Sequence, residues 1–350
     1  MMEAPVVVSS EKLVELARAI LIASRVSPAK ARLVAESLVA SNLRGVDSHG
    51  VMLLTYYLDQ IRAGNVDLET DGRVISESGA CLVYDACHGI GQAISSLCAD
   101  HAVRLARQSG MGMVVCRDST HFGAAAFWAQ RISAQGMMGM AYTNASPLVP
   151  PWQGREGRIG TNPICVALPS SGPGDWLLDM ATTTVAKNRI HRASASGQAT
   201  LPAGWAMDAQ GLPTQDTQQA LAGLLTPLGG YKGSGLGMLV EILCGVMSGG
   251  AMTTQVGALH STKRRMQISH CFIAIDVVRF MPLAEFQSRM EFLLATVKSA
   301  APAGGYDEVL VAGEPERRME AQRRREGIPV DAGVWRRLGE LAQGLGVPVP

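Results

Sequence analysis

The periodicity of apolar residues changes near residue 73, and this change constrains the fold more than any other feature of the chain. Before it, apolar residues recur at helical spacing and predict three helices within residues 9–64. After it, short β-rich runs alternate with helical stretches, an order typical of an α/β domain. The expected first residues or caps of the three helices are Ser10, Ser27 followed by Pro28, and Ser48.

The second part of the chain carries the predicted strands. They cover residues 81–86, 111–116, 137–143, 162–169, 175–181, 270–278 and 308–313. The predicted helices between them cover residues 91–108, 123–135, 234–246 and 283–299, and helices follow to the end of the chain. This helical tail can pack back on the N-terminal helices. We therefore predict a discontinuous helical domain of residues 1–72 with 300–350, and an α/β domain of residues 73–299.

The composition of the chain argues against several classes of function. Apolar residues make up 47% of the chain and charged residues 17%, which indicates a large buried fraction that includes a subunit interface. The net charge of +1 gives no global field that would recruit nucleic acid or an anionic membrane. We see no secretory signal, and no uncharged apolar run reaches about 18 residues, so no membrane span is expected. The seven cysteines form no CxxC pair and predict buried free thiols in a reducing compartment, the cytoplasm.

The string RGVDSHGV at 44–51 contains the first candidate catalytic residue, His49. Ser48 is predicted to cap a helix, so that His49 lies in its first turn. The positive end of that helix would disfavour an imidazolium ion and keep the ring neutral, as a proton-transfer group requires. The alternative is a surface histidine next to a helix cap.

The string DSTHFGAAAFWAQ at 118–130 contains the second candidate, His121. It follows a predicted strand and leads into a helix, and such turns bind ligands in open α/β sheets. The alternative is a loop histidine bonded to the backbone. Asp179 ends the apolar run WLLDM, where a carboxylate needs a partner, and we rank it above Asp47 and Asp118 as the group that orients a histidine. Zinc or iron is a weaker alternative, because no HxxxH or HExxH spacing occurs, and no metal is expected.

Glycine clusters in the string LGGYKGSGLG at 228–237, which opens a predicted helix. Backbone N–H groups there can approach a phosphate or a carboxamide, or the glycines can serve close helix packing. Because GxGxxG and GxxxxGK[ST] are absent, a standard Rossmann or P-loop site is not supported. The strings at 144–154 and 160–169 suit polar loops around a ligand, although a purely structural turn explains each of them as well.

Several motifs in chain order resemble those of the malate/L-lactate dehydrogenase family that is unrelated to the usual Rossmann dehydrogenases. They are RGVDSHGV, STHFGAAAFWA, TNASPLVPPW with GTNP, LDMATT, PAGWAMDAQGLPT, LGGYKGSGL and VLVAGEPE. The family includes ureidoglycolate, sulfolactate and diketogulonate oxidoreductases and piperideine-2-carboxylate reductase. The resemblance implies a homodimer, NAD or NADP as hydride carrier, a mixed-sheet nucleotide-binding domain of non-classical Rossmann type, and a helical domain built from both termini.

The resemblance also implies roles for individual residues. His49 would protonate the developing alkoxide or accept its proton in oxidation, with His121 as partner or alternative base and Asp179 as the third catalytic residue. Hydride would pass between the nicotinamide and C2 of a 2-hydroxy or 2-oxo acid. Cofactor contacts would fall on Asn144, Gly160, Thr161, Asn162, Asp179, Met180, Ala181, Tyr231, Lys232, Gly233, Gly313, Glu314 and Pro315. The alternatives are a reductase of a cyclic imino acid, where hydride reaches a C=N carbon, and a catalytically silent binding member of the same fold.

Two departures from the family pattern bear on specificity. The predicted substrate-binding residues are Arg44, Ser48 and Leu53, but many relatives carry an arginine where this chain has Leu53, and leucine cannot clamp a carboxylate. Either Arg44 or another cation binds the carboxylate, or the substrate is more apolar than malate or lactate, the option we favour. The second departure is the basic string VAKNRIHRA at 185–193, which suits the 2′-phosphate of NADP or is a solvated face. NAD versus NADP stays open.

Overall fold

A computed structural model describes residues 4–169 and 176–349. Its centre is a seven-stranded mixed sheet with the order β2-β3-β4-β11-β5-β6-β7. Only β3 and β4 run parallel to each other, while every other neighbouring pair in this sheet is antiparallel. The strands are β2 (Arg73–Ser78), β3 (Cys81–Asp85), β4 (Met111–Ser119), β5 (Met137–Thr143), β6 (Ile164–Leu168), β7 (Trp176–Met180) and β11 (Ile268–Asp276). The predicted mixed-sheet α/β fold is confirmed.

Two helices cover one face of the sheet, α4 (Gly91–Ser109) and α5 (Ala125–Ser133). They approach the strands so closely that two strand positions require glycine. A Cβ on Gly112 would lie 2.2 Å from the carbonyl oxygen of Ala102, and one on Gly139 would lie 2.3 Å from that of Ala129. The core between these layers contains the buried rings of Phe122, Trp128 and Phe272.

The opposite face of the sheet packs on α8 (Tyr231–Glu241) and the π-helical turn Ile242–Val246 that continues it. Their contact with the strands includes the buried residues Val115, Tyr142, Val240, Cys244 and Cys271. Five of the seven cysteines are buried, Cys81 is exposed, and none forms a disulfide. The outer side of α8 leaves large apolar side chains in contact with solvent.

The N-terminal helices are α1 (Ser10–Ala23), α2 (Pro28–Leu43) and α3 (Leu54–Arg62). The side chain of Ser9, rather than of Ser10, caps α1, since its Oγ accepts the N–H of Lys12. The predicted start of the third helix at Ser48 is wrong. Two 3₁₀ turns, Asp47–His49 and Val51–Leu53, precede α3.

A close crossing explains this break in the helix. A Cβ on Gly50 would lie 2.2 Å from Oδ1 of Asn42, and that same oxygen accepts the N–H of Val51 at 2.9 Å. The chain therefore bends around a side chain of α2 before helical hydrogen bonding resumes.

The C-terminal segment returns to the N-terminal helices through α10 (Glu314–Glu326), β12 (Ile328–Val330) and α11 (Ala332–Gly344). Strand β12 pairs with β1 (Val6–Val8), and both strands are too short for a periodic signal in sequence. One apolar cluster joins residues of both termini, including Leu13, Leu38, Leu58, Ile328 and Leu338. This shared core supports the division at 72/73 and 299/300, which stays a proposal.

A small lobe lies within the predicted α/β domain and was not foreseen. Its elements are α6 (Lys187–Ala195), β8 (Ala206–Met207), β9 (Pro213–Thr214), α7 (Thr217–Ala222) and β10 (Leu224–Leu225). The three short strands form a separate sheet in the order β10-β8-β9. The lobe has its own apolar cluster, which includes Val149, Val185, Ile190, Leu201 and Leu225.

The predicted strand at 308–313 is also wrong. These residues form an irregular segment that follows α9 (Leu283–Lys298) and runs past β7, where the N–H of Leu177 donates to the carbonyl of Ala312 at 3.5 Å. Gly313, with φ of +83°, turns this segment into α10. The predicted strand at 175–181 is found as β7, although Asp175 lies outside the described residues. No helix in the described ranges is long and apolar enough to cross a membrane.

Candidate active site

A cavity of about 550 Å³ lies between α2, the Asp47–His49 turn, the start of α5, the end of β7 and the first residues of α6 and α10. Its volume is in the range of small-molecule and cofactor sites. Eight of the predicted site residues line this cavity. Those that line it are Arg44, Ser48, His49, Thr161, Asp179, Ala181, Gly313 and Pro315.

His49 lines this cavity from the 3₁₀ turn after α2. Its Nδ1 lies 2.9 Å from Oγ of Ser48. The surrounding protein removes water from the ring and lowers the pKa of His49 below its usual value. The ring therefore favours the neutral form, as the sequence analysis expected, but the reason is burial and not the end of a helix, because α3 begins only at Leu54.

The turn that carries His49 is fixed by α10, which sequence reasoning did not connect to it. Nη1 of Arg323 lies 2.7 Å from Oδ1 of Asp47, and Nη2 lies 3.1 Å from Oδ2. Nδ2 of Asn42 donates to the same Asp47 carboxylate at 2.7 Å. This network joins α2, the turn and α10 through one carboxylate.

His121 lies directly after β4, next to His49. The two ring centroids are 5.9 Å apart and the rings are stacked at 25°. Nδ1 of His121 lies 2.8 Å from the hydroxyl of Tyr57 and accepts the N–H of Gly123 at 3.2 Å. Burial, with smaller contributions from His49 and His270, lowers the pKa of His121 to about 3. The two candidate histidines thus meet in space.

Asp179 faces the cavity from the end of β7. Its Oδ2 accepts the N–H of Ala126 at 3.1 Å, at the start of α5. The carboxylate is open to the cavity, but protein surrounds the cavity, and this burial raises the pKa of Asp179 to about 6 while the Ala126 N–H and Arg44 oppose the rise. Among the described residues, the hydrogen bond of the Asp179 carboxylate is to the N–H of Ala126 and to neither histidine. His49 contacts Ser48 instead, and His121 contacts Tyr57.

Arg44 is a buried cation on the cavity wall, with 8% of its surface exposed. The nearest carboxylate oxygen, in Glu320, lies 4.0 Å from its Nη1. A buried charge without a close partner is costly, so this guanidinium favours an anion in the cavity. Leu53 lies elsewhere, because its side chain belongs to the apolar core of the helical part.

Several predicted cofactor residues have structural contacts instead of lining the cavity. Nδ2 of Asn144 lies 2.9 Å from the carbonyl of Ala251 and 3.4 Å from Glu241. Nδ2 of Asn162 lies 3.1 Å from Glu241, and its Oδ1 accepts the N–H of Ala145. Both asparagines thus bind the buried carboxylate of Glu241 and join the loops after β5 and before β6 to α8.

Six further predicted cofactor residues also lie outside the lining of the cavity. Gly160 permits a close approach, since a Cβ there would lie 2.4 Å from the carbonyl oxygen of Ala145. Met180 ends β7, Tyr231 and Lys232 are exposed at the start of α8, and Gly233 packs against Leu228 and Thr182. Glu314 forms an ion pair with Lys298 and accepts the N–H of Val311. None of these six lines the cavity.

Sequence reasoning missed two residues around the site, since no motif pointed to Tyr57 or to Arg323. It did single out the basic string at 185–193, and Ala186, Lys187 and Asn188 from that string line the cavity from the small lobe. The small residues after His121, Gly123 to Ala126, line another wall. No cluster of three metal-ligating side chains occurs within the described ranges.

A family model described as malate/L-lactate dehydrogenase matches residues 8–339. This chain belongs to the malate/L-lactate dehydrogenase family. It is 34% identical to a malate dehydrogenase of Pyrococcus abyssi over 325 residues, which are 91% of this chain and 89% of that protein. The match confirms the resemblance and shows an NAD(P)-dependent oxidoreductase.

Solved structures agree. The malate dehydrogenase of Pyrococcus horikoshii OT3 superposes with a TM-score of 0.91 at 32% identity and covers 100% of both chains. The delta1-piperideine-2-carboxylate reductase of Pseudomonas syringae pvar. tomato superposes with a TM-score of 0.85 at 29% identity, covering 96% of this chain and 100% of the other. The fold is therefore shared with an enzyme named for a hydroxy acid and with an enzyme named for a cyclic imino acid.

Proposed function

We propose that this protein interconverts a 2-hydroxy acid and its 2-oxo acid, with NAD or NADP, in the cavity beside His49. The observation that carries the proposal is the stacked pair of His49 and His121, of which His49 lines the cavity that also holds the buried cation Arg44, while His121 lies behind it beside Tyr57. Membership of the family supplies the class of reaction. The geometry supplies a neutral acid–base group next to a place for an anionic substrate.

The cavity fits a dinucleotide. Small residues from Gly123 to Ala126 and Gly313 leave room along its walls, and Lys187 brings a positive charge to the wall from the small lobe. We propose that Thr161, Asp179, Ala181, Gly313 and Pro315 contact the coenzyme. When bound, the coenzyme accepts or supplies the hydride at C2 of the substrate.

His49 exchanges the proton. Because its pKa is lowered, His49 is neutral near pH 7 and accepts the proton of the substrate hydroxyl during oxidation. In the reverse direction the imidazolium returns this proton to the carbonyl oxygen. Ser48, bonded to Nδ1 of His49, keeps the ring in place.

Arg44 binds the carboxylate of the substrate. It takes over this role because Leu53 is buried in the helical core and carries no charge. Because position 53 supplies no second arginine beside Arg44, we propose that the site suits a substrate more apolar than malate. The same feature favours a second candidate function, reduction of a cyclic imino acid, for which the structural neighbour from Pseudomonas syringae is a precedent.

We also propose that the protein is a cytoplasmic homodimer that acts on small molecules and not on nucleic acid or a membrane. Its cysteines form no disulfide, which suits a reducing compartment. Large apolar side chains on the π-helical turn after α8 and on α9, such as Ile242 and Phe292, are exposed in the single chain, and a second copy would cover them.

The experiment has two stages. NADH and NADPH are first titrated against the protein by fluorescence, and binding is expected for at least one. The chain is then assayed with that coenzyme against 2-oxo acids and cyclic imino acids. His49→Ala is expected to lower kcat/KM by about 10²–10⁴-fold, while His260→Ala, a change at an exposed histidine, leaves it unchanged. Wild-type turnover in His49→Ala would contradict the assignment of His49, and inertness of the wild-type chain across the panel would favour a silent member.

A further inference from the structure

The buried Tyr57 and the half-buried His121 form a hydrogen-bonded pair that the proposed reaction does not yet use. Tyr57 lies on α3 and is 8% exposed, and its hydroxyl oxygen is 2.8 Å from Nδ1 of His121. No motif assigned a role to Tyr57. Its position in a helical apolar pattern suggested only a core residue.

The contacts around Nδ1 decide which nitrogen of His121 carries the proton. The N–H of Gly123 reaches Nδ1 at 3.2 Å, and a backbone N–H can only donate. Nδ1 is therefore the acceptor nitrogen, and the hydroxyl of Tyr57 donates to it as well. The ring proton of neutral His121 is then on Nε2.

We propose that Tyr57 is a positioning residue that holds His121 in the Nε2–H tautomer, so that His121 donates a hydrogen bond to the substrate oxygen while His49 exchanges the proton. The proposal rests on the proposed function. It gives His121 a defined role, where the sequence left it as a partner of His49 or an alternative base.

The surroundings of His121 agree with this division. The titratable groups that face it are His49, Tyr57 and His270. Burial raises the pKa of Tyr57 well above its usual value, so its hydroxyl keeps the proton it donates. The pKa of His121 is about 3, because burial disfavours its charged form, and this keeps the ring neutral through the physiological range.

The atoms balance in this scheme. In oxidation the O–H and C2–H bonds of the substrate break and the C=O bond forms. The proton passes to His49, and the hydride leaves C2 for the oxidised coenzyme. His121 keeps its own proton throughout, and its Nε2–H stabilises the charge that develops on oxygen.

The test uses Tyr57→Phe, with Tyr56→Phe as the matched control, because Tyr56 is the adjacent tyrosine and is 36% exposed. Side-chain ¹⁵N NMR of the histidines reports the tautomer without any turnover, and a difference spectrum against His121→Asn identifies the His121 signals. In wild-type protein Nδ1 of His121 is expected to be unprotonated and Nε2 protonated. In Tyr57→Phe only the longer contact from the Gly123 N–H remains, so the Nδ1–H tautomer is expected to gain population and the Nδ1 signal to shift towards the protonated position, while Tyr56→Phe leaves it unchanged.

Kinetics supply the second readout. Loss of one hydrogen bond to a positioned ring is expected to lower kcat by about tenfold in Tyr57→Phe, with little change in the KM of the coenzyme. His121→Asn is expected to lose less activity than His49→Ala, because asparagine still donates a hydrogen bond.

Three results would overturn the proposal: a protonated Nδ1 on His121 in the wild-type protein, an unchanged spectrum and kcat in Tyr57→Phe, or a larger loss in His121→Asn than in His49→Ala. If the chain turns over no substrate, the proposed function fails. The NMR result still decides the tautomer in that case, so the two failures are distinguishable.

Discussion

At the scale of single residues, the site depends on charges whose environment differs from water. Asp179 and Arg44 occupy the same cavity, and Arg44 lowers the pKa of Asp179 while burial raises it. Burial is the larger effect, so the carboxyl group titrates close to neutral pH. Such a group contributes to stability with the opposite sign from an ordinary ion-paired aspartate.

Asp179→Asn tests this contribution. The folded pKa of Asp179 is about 6 against an ordinary value of 3.8. Between these values the folded state binds more protons than the unfolded state, so Asp179 favours folding below about pH 4 and loses this contribution as pH rises through 6. Asparagine can still accept the N–H of Ala126 and does not ionise. Urea unfolding is therefore expected to show a smaller decrease in stability from pH 4 to pH 7 in Asp179→Asn than in the wild-type protein. Parallel pH profiles would contradict the raised pKa.

At the scale of elements, the periodic segments formed as predicted and the short irregular ones did not. Helix α4 and strand β5 match their predicted spans within one residue, because repeated apolar spacing over many residues fixes which face is buried. The Asp47–His49 turn does not match its predicted helix, because its conformation depends on contacts with Asn42 and Arg323, which lie in two other helices. The element that carries His49 is thus shaped by α10, from the far end of the chain.

Arg323→Ala tests the dependence of this turn on α10. Its removal leaves the Asp47 carboxylate without its cation, and we expect a loss of about 1–3 kcal/mol in the free energy of unfolding. A lower kcat is also expected, because His49 lies two residues from Asp47. Urea unfolding and steady-state assays measure both effects. Arg325→Ala is the control, an exposed arginine on the same helix, and equal stability and kcat in the two variants would contradict the role of Arg323.

At the scale of the whole molecule, the apolar surface is unevenly distributed. Five large apolar side chains on α8 and its continuation are 44% to 53% exposed: Met238, Leu239, Ile242, Val246 and Met247. Helix α9 has no buried residue, although it is amphipathic in sequence. The proposed homodimer would cover this apolar surface.

Ile242→Glu tests the proposed homodimer. A carboxylate in the centre of an apolar interface is costly to bury, so the variant is expected to have half the wild-type mass in light scattering, with an unchanged circular dichroism spectrum. Leu212→Glu, at an exposed leucine of the small lobe, is expected to leave the mass unchanged. A monomeric wild-type protein, or a dimeric Ile242→Glu variant, would contradict this interface.

The sequence by itself determined the class of fold, most helices and strands, the family and the two histidines, because apolar periodicity and short ordered motifs are local properties. Tertiary structure decided the rest. It brought His49 to within 5.9 Å of His121, gave His121 its partner Tyr57, and assigned Asn144 and Asn162 to the buried Glu241. The physical reason is that burial and side-chain partnership depend on which distant segments pack together, and no local pattern records that.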